Sequence, residues 1–436
     1  MTGTCEAKHQ TTQIAAMIRA GAAERRRSRK VERAAAAIVL LCDEWPLLSM
    51  LLAEGGSRTL VCAVRVLVAP DKFKGSIEAG EAAARIAAGW NSAWPGCSLD
   101  LRPVADGGDG TLSVVQAQTG AAKRESMVRD ARGRRRAIVW LCDPSSRTAW
   151  IEIAQVVGLA GLEKAERDPL TATTGGLGDV VTLAAGSAET IYLCLGGSAT
   201  NDAGCGMAAA LGYLFLDRHG TPLDPLTCNF AAVERIQPPE TLPSIEVIGL
   251  TDVRNGLLGP QGATFVYGPQ KGASPSDVEK LEAGLAHIAD IAARDLGAPD
   301  PATPGAGAAG GLGFGVMTFL RGSLRPGFET VAKLIGLAGA VAAADIVITG
   351  EGRIDRQTCE GKAPDGVARL ARAAGKPVIA LAGSIPLTKE DAAGFDVLVP
   401  ITDEPMSLEH AMQNAGPLLE RAAARTAMLI KLGHFL

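Results

Sequence analysis

Histidine is scarce in this chain, with 5 among 436 residues, and none stands in the H-E-x-x-H arrangement that a zinc hydrolase uses. The nine cysteines (Cys5, Cys42, Cys62, Cys97, Cys142, Cys194, Cys205, Cys228 and Cys359) form no C-x-x-C pair and show no disulfide or zinc spacing. They read as small hydrophobes of a reducing, cytoplasmic compartment. A basic excess is also missing: 43 Lys and Arg against 47 Asp and Glu leave a formal charge of −4, which argues against a nucleic-acid partner. No apolar run is long enough to span a bilayer, so no membrane partner is expected either. No stretch fits a Walker A loop. Gly305-Ala306-Gly307-Ala308-Ala309-Gly310 matches G-x-G-x-x-G in form, but it follows a proline-punctuated stretch and not a strand, so it does not read as a dinucleotide turn.

What is abundant points to a globular α/β enzyme with many tight turns: 47% apolar residues, only 4% aromatic ones, and 52 glycines. The length allows two or three domains around a sizeable core. Residues 1–63 differ from the rest. Arg25 to Lys30 is strongly basic, two short apolar runs follow, and no secretory cleavage pattern appears. This segment reads as an appended extension, helical in places and weakly packed, with an organellar transit segment as an alternative and initiation at Val64 as another.

From Val64 onward strands and helices alternate. Arg65 to Ala69 reads as a strand, Ser76 to Trp90 as a helix capped by its serine, and Ser98 to Val104 as a second strand. Ala137 to Trp140 and Thr148 to Ile153 read as a hairpin. Further strands are expected at Ile191 to Leu195, Glu246 to Gly249, Ile346 to Ile348, Val378 to Ala382 and Val397 to Val399.

Charged glycine loops follow several of these strands. After Ile346-Val347-Ile348 comes Thr349-Gly350-Glu351-Gly352-Arg353-Ile354-Asp355, and ligands of open α/β sheets bind at such carboxyl ends. Asp71-Lys72-Phe73-Lys74, Asp106-Gly107-Gly108-Asp109-Gly110-Thr111, Gly196 to Gly206 and Gly268-Pro269-Gln270-Lys271-Gly272 are comparable clusters. Phosphoryl transfer needs donors for phosphates, carboxylates for Mg²⁺ and a carboxylate near the acceptor hydroxyl. Asp106 and Asp109, two glycines apart, are hard oxygen donors that suit Mg²⁺ or Mn²⁺. The glycine-rich turn after Leu195, followed by a helix at Met207, is built to aim amides at an anion.

These loops, in order and spacing over about residues 64–430, resemble the bacterial type I glycerate kinases. The resemblance implies ATP-dependent phosphorylation of D-glycerate, usually at the 2-hydroxyl, with Mg²⁺ required. It also implies two α/β domains with a cleft between them: a Rossmann-like, flavodoxin-type parallel-sheet domain from residues 64–120 and 300–436, and an inserted α/β domain from 121–299. Lys72 stands where the family commonly has serine, Asp109 where it has glutamate, and Thr173-Thr174-Gly175-Gly176 lacks an expected arginine.

Under that resemblance Lys72, Lys74 and Arg353 are the candidates for the glycerate carboxylate, since arginine engages carboxylates bidentately. Asp71 or Asp202 would accept the hydroxyl proton, and Asp106, Asp109 and Asp252 compete for the metal. Gly196, Gly197, Ser198, Thr200, Asn201 and Lys271 would serve the phosphates, and Glu351 and Asp355 would hold the ribose or orient Arg353. A kinase for the 3-hydroxyl or for a related hydroxy acid, and a non-catalytic sugar-acid sensor, are the alternative readings. A homodimer stays open.

Overall fold

The computed structural model describes residues 64–356, 358, 361–387 and 394–434. The expectations for residues 1–63 lie outside these described residues. In chain order the strands are β1 (Arg65–Val68), β2 (Ser98–Leu101), β3 (Ala122–Arg129), β4 (Arg135–Asp143), β5 (Thr148–Glu152), β6 (Thr190–Cys194), β7 (Leu214–Leu216), β8 (Arg235–Gln237), β9 (Glu246–Leu250), β10 (Ser323–Arg325), β11 (Ile346–Arg353), β12 (Val378–Ser384) and β13 (Val397–Pro400).

β2, β1, β11, β12 and β13 lie side by side in that order, all parallel. Numbered within this sheet alone the order is 2-1-3-4-5, the flavodoxin type, with its switch point between β1 and β11. The central strands β1, β11 and β12 are buried on both faces because helices cover both. Val66, Val68 and Ile348 pack with Ile86 and Trp90 of helix Ala79–Ala93 and with Leu418 and Leu419 of helix Ala415–His434. Leu67, Ala69 and Val347 meet Val367 and Ala371 of helix Ala363–Ala373 on the other face.

The second sheet runs β3-β4-β5-β6-β9-β10. β3, β4 and β5 are antiparallel, while β5, β6, β9 and β10 run parallel. Trp150 of β5 stacks on Tyr192 of β6 at 4.1 Å, a cross-strand aromatic pair that helps fix their register. The fold is thus mixed α/β, with one parallel sheet and one mixed sheet. Among the described residues, no helix is long and apolar enough to cross a membrane.

Some expected boundaries move. Helix Ala79–Ala93 has Glu78 at its N-cap, with no side-chain capping bond. Ser76 sits instead in a tight loop, closed by Phe73 N donating to Ile77 O at 2.9 Å and by Ile77 N donating to Phe73 O at 3.1 Å. β3, β7, β8 and β10 are additions to the strands expected from the sequence. The chain also returns to the first sheet later than residue 300. Ala308, Leu312 and Val316 of helix Ala308–Phe319 share the core of Ile191 and Leu193, and β10 pairs with β9. Phe328 and Val331 are the first residues after it that pack against the first sheet's core.

Helix Thr111–Thr119 belongs to both layers. Leu112 and Val115 pack with Trp150, Ile248 and Leu250 of the second sheet, and Val114 packs in the core of the first.

Candidate active site

The carboxyl ends of β1, β2 and β11 meet those of β5, β6 and β9. Glycine makes this approach feasible. A side chain at Gly196 would come within 2.8 Å of Gly108 Cα, and one at Gly107 within 2.6 Å of Gly327 Cα. Gly107 has φ +79°, a left-handed conformation that favours glycine. The loop carrying Asp106 and Asp109 is therefore clasped between the turn after β6 and the start of helix Gly327–Leu334.

Asp71 follows β1 and is tied to β11 by its N–H, which donates to Gly350 O at 2.8 Å. Its Oδ1 accepts from Lys72 N at 2.7 Å. Burial, and then the nearby Asp106, hold its carboxyl well above the usual carboxylate range, with Glu351 adding to the effect. Lys72 Nζ is paired with Asp109 Oδ2, the lysine being largely covered and the aspartate half exposed. Lys74 is exposed, on a loop whose backbone lies beside Gly352 of β11.

Glu351 is buried at the end of β11, and burial pushes its carboxyl up to about 7 despite Thr358 and Lys362. Among the described residues, its Oε1 has no hydrogen-bond partner. Arg353 extends into solvent, its Nε donating to Asp355 Oδ2 at 3.2 Å. Asp355 in turn is held by Thr358, whose Oγ1 accepts from Asp355 N at 3.0 Å. The reading of Asp355 as orienting Arg353 therefore has a geometric basis.

Asp252, after β9, is a helix cap. Its Oδ1 accepts from Gly327 N at 2.8 Å and its Oδ2 from Phe328 N at 3.0 Å. Burial, opposed by the Phe328 amide, moves its carboxyl up to about 6, with Asp106 contributing. Asp106 Oδ1 accepts from Gly108 N at 3.0 Å. Among the described residues, no group of three Asp, Glu, His or Cys side chains is arranged to hold a metal ion. Asp106, Asp109 and Asp252 line one region without forming a closed cage.

Several expected site residues face inward instead. Asp202 is fully buried: its Oδ2 accepts from Thr174 N and Thr174 Oγ1, both at 2.8 Å, and from Gly206 N at 3.2 Å, while its Oδ1 accepts from Gly204 N at 3.2 Å. It anchors the turn and does not stand open to a hydroxyl. Lys271 is buried too, donating to Thr200 O at 2.7 Å and Ser198 Oγ at 3.1 Å. Burial pulls its ammonium down to about 7, with Asp202 opposing the shift.

Thr200 and Asn201 are completely covered, and Asn201 Nδ2 donates to Thr264 Oγ1 at 3.1 Å. Some of the turn's amides are engaged within the protein. Gly196 N donates to Cys194 O at 3.1 Å, and Ala199 N to Val157 O at 2.8 Å. Gly197, at φ +72°, carries the bend, and its carbonyl accepts from Leu159 N at 2.8 Å. Short polar side chains after a strand suggest phosphate ligands; among the described residues, the buried Thr200 Oγ1 and Asn201 Oδ1 have no hydrogen-bond partner.

Glu152, at the end of β5, is a residue that the sequence reading misses, although an acid closing the apolar run Ala149-Trp150-Ile151 is a readable signal. It is buried beneath Leu112, and Asp109 and Lys72 act on its charge. A groove of about 740 Å³ lined by Ser384, Leu387, Phe395 and Leu398 lies along β12 and β13, where Ser384 is the register partner of Arg353 on β11.

The model of the Glycerate kinase family matches residues 66–431. A Bacillus subtilis (strain 168) protein named glycerate kinase is 39% identical over 377 residues, 85% of this chain and 98% of the relative. An Escherichia coli (strain K12) protein named glycerate 2-kinase is 35% identical over 380 residues, 85% of this chain and 99% of the relative. A crystal structure of a Salmonella typhimurium LT2 protein described as glycerate kinase 2 superposes with a TM-score of 0.74 at 36% identity, covering 86% of this chain and 100% of its own. With the family model spanning nearly everything after the first 65 residues, the chain belongs to the glycerate kinase family.

Proposed function

We propose that this protein transfers the γ-phosphoryl group of ATP to the 2-hydroxyl of D-glycerate, releasing 2-phosphoglycerate and ADP. The observation that carries the reading is the convergence of Asp71, Lys72, Asp106, Asp109, Glu351 and Arg353 at the carboxyl ends of β1, β2 and β11 in the first sheet. The name of the Escherichia coli relative supports the 2-position.

Arg353, exposed and oriented by Asp355, is placed to engage the glycerate carboxylate with its planar fork. Lys74 adds a second exposed cation on the neighbouring loop. Asp71 accepts the hydroxyl proton in this reading, because its raised carboxyl is a stronger base than an ordinary aspartate and its position at the switch point faces the cleft. Lys72 exchanges its partner Asp109 for a phosphate oxygen when the donor binds.

Asp106 helps to raise the carboxyls of Asp71, Asp252 and Glu351, an accumulation of negative charge that a cation would relieve. Mg²⁺ is commonly held by one or two carboxylates together with substrate phosphates, so the lack of a closed protein cage fits it. Asp106 and Asp109 are the residues to hold it, and when bound it supplies neutralisation of the developing phosphate charge. Asp252, with both oxygens occupied by amides, is assigned to positioning helix Gly327–Leu334.

³¹P NMR of the protein with D-glycerate, ATP and Mg²⁺ tests this directly. A 2-phosphoglycerate resonance is expected. A 3-phosphoglycerate resonance overturns the assigned hydroxyl, and no product from folded protein overturns glycerate as the substrate.

A further inference from the structure

Glu152 stands on the second sheet, yet the group it holds belongs to the loop that carries Asp106 and Asp109. It is 4% exposed, and its Oε1 accepts from Leu112 N at 2.8 Å. Leu112 lies in the first turn of helix Thr111–Thr119, where an anion is favoured by unpaired amides and by the helix dipole. Its Oε2 accepts from Gln155 Nε2 at 3.2 Å, and Gln155 Oε1 accepts from Val139 N at 3.1 Å. A continuous chain of hydrogen bonds thus runs from β4 through Gln155 and Glu152 to the helix start.

On the other side, Thr111 Oγ1 donates to Gly108 O at 2.7 Å, and Gly108 N donates to Asp106 Oδ1 at 3.0 Å. The position of the carboxylate loop is therefore set from the second sheet. We propose that Glu152 is a positioning residue for the phosphoryl-transfer site, a strut that fixes the Asp106-to-Thr111 loop across the cleft through its hydrogen bonds. The kinetic part of this inference rests on the kinase reading above, whereas its structural part does not.

The chemistry of the network supplies a discriminating variant. In Glu152→Gln the new amide cannot accept from both Leu112 N and Gln155 Nε2, so one donor faces another. The double change Glu152→Gln with Gln155→Glu repairs this. The amide introduced at position 152 would then accept from Leu112 N and donate to the carboxylate introduced at position 155, whose second oxygen accepts from Val139 N.

The experiment compares wild type, Glu152→Gln and the double variant by steady-state kinetics and by hydrogen exchange of the 108–113 amides. In Glu152→Gln, kcat is expected to fall 10- to 100-fold, on the scale by which ~1 Å of misplacement slows a reaction, with KM for glycerate within about threefold of wild type. Exchange at 108–113 should quicken at least about tenfold, the scale of losing a hydrogen bond worth ~1.4 kcal/mol. The double variant should regain both. Unchanged exchange in Glu152→Gln, or a double variant that regains protection without kcat, overturns the proposal, because the strut is then absent or the charge itself is what matters. If the single variant does not fold, the double variant still decides, since it is expected to be folded and active. If wild type does not phosphorylate glycerate, the kinase reading has failed, and the exchange comparison still tests the strut.

Discussion

Replacing Asp106 by Asn separates charge from shape at the centre of the site. The asparagine Oδ1 can still accept from Gly108 N, the bond that Asp106 Oδ1 makes at 3.0 Å, so the loop should keep its form. What disappears is the negative charge felt by Asp71, Asp252 and Glu351. If Asp106 holds the cation that neutralises the transferring phosphate, losing it costs a contact of the kind worth ~2.7–4 kcal/mol, so kcat should fall by about 10²–10³.

Two further consequences have definite signs. Asp71, freed of a negative neighbour, ionises more readily, so the acidic limb of its kcat/KM profile should move to lower pH. The folded state loses carboxylate repulsion, so Tm at pH 7 should match or exceed that of wild type. A coupled ADP-release assay across pH, with thermal melts on the same preparations, measures all three. A variant with wild-type kcat removes Asp106 from the site, and a lowered Tm with the same fall in kcat would mean that loop collapse, not charge, caused the loss.

Glu351 makes stability depend on pH. Its carboxyl sits at about 7 in the folded protein against an ordinary 4.5, so the folded state keeps a proton that the unfolded chain has released. That contribution is complete below the ordinary value and is lost as pH rises through the folded one, to a total of roughly 3 kcal/mol. Glu351→Gln should flatten this fall, as followed by urea unfolding at pH 5 and pH 8, and an unchanged pH dependence would refute it. Lys271→Met leaves Thr200 O and Ser198 Oγ without their shared donor, which should cost about 1–3 kcal/mol of unfolding free energy and lower kcat by loosening the turn; undiminished stability counts against the pin. Arg353→Lys keeps charge but loses the bidentate fork, so KM for glycerate should rise about 10- to 100-fold with kcat within a few-fold, and an unchanged KM would take Arg353 out of substrate binding.

The strands are legible where apolar runs end in glycine and charge, as at Val66 to Ala69 and Ile346 to Ile348. β3 escapes a sequence reading because Ala122-Lys123-Arg124-Glu125-Ser126 is mostly exposed and polar, so no alternation marks it. A helix capped by Ser76 is the wrong expectation for a related reason: serine is a good cap, but residues 73–77 satisfy their own backbone first. Of the site, Asp71, Lys72, Asp106, Asp109, Glu351 and Arg353 stand out in the sequence as a group that the structure brings together. Asp202, Thr200, Asn201 and Lys271 stand out in the sequence too, and the structure buries all four.

Sequence alone therefore settled which loops carry charge, that they follow strands, and the family those motifs resemble. These are local properties, written in residues a few positions apart. Tertiary structure alone decided which of the charges are free to act. Asp202 and Asp252 look as available as Asp71 along the chain, but backbone amides from residues 174, 206, 327 and 328 occupy their oxygens once the helices dock. Glu152 became part of the site only because the second sheet delivers β5 beneath the start of helix Thr111–Thr119. A buried polar group must find a partner on folding, and which partner it finds is fixed by strand order and register, not by spacing in the chain.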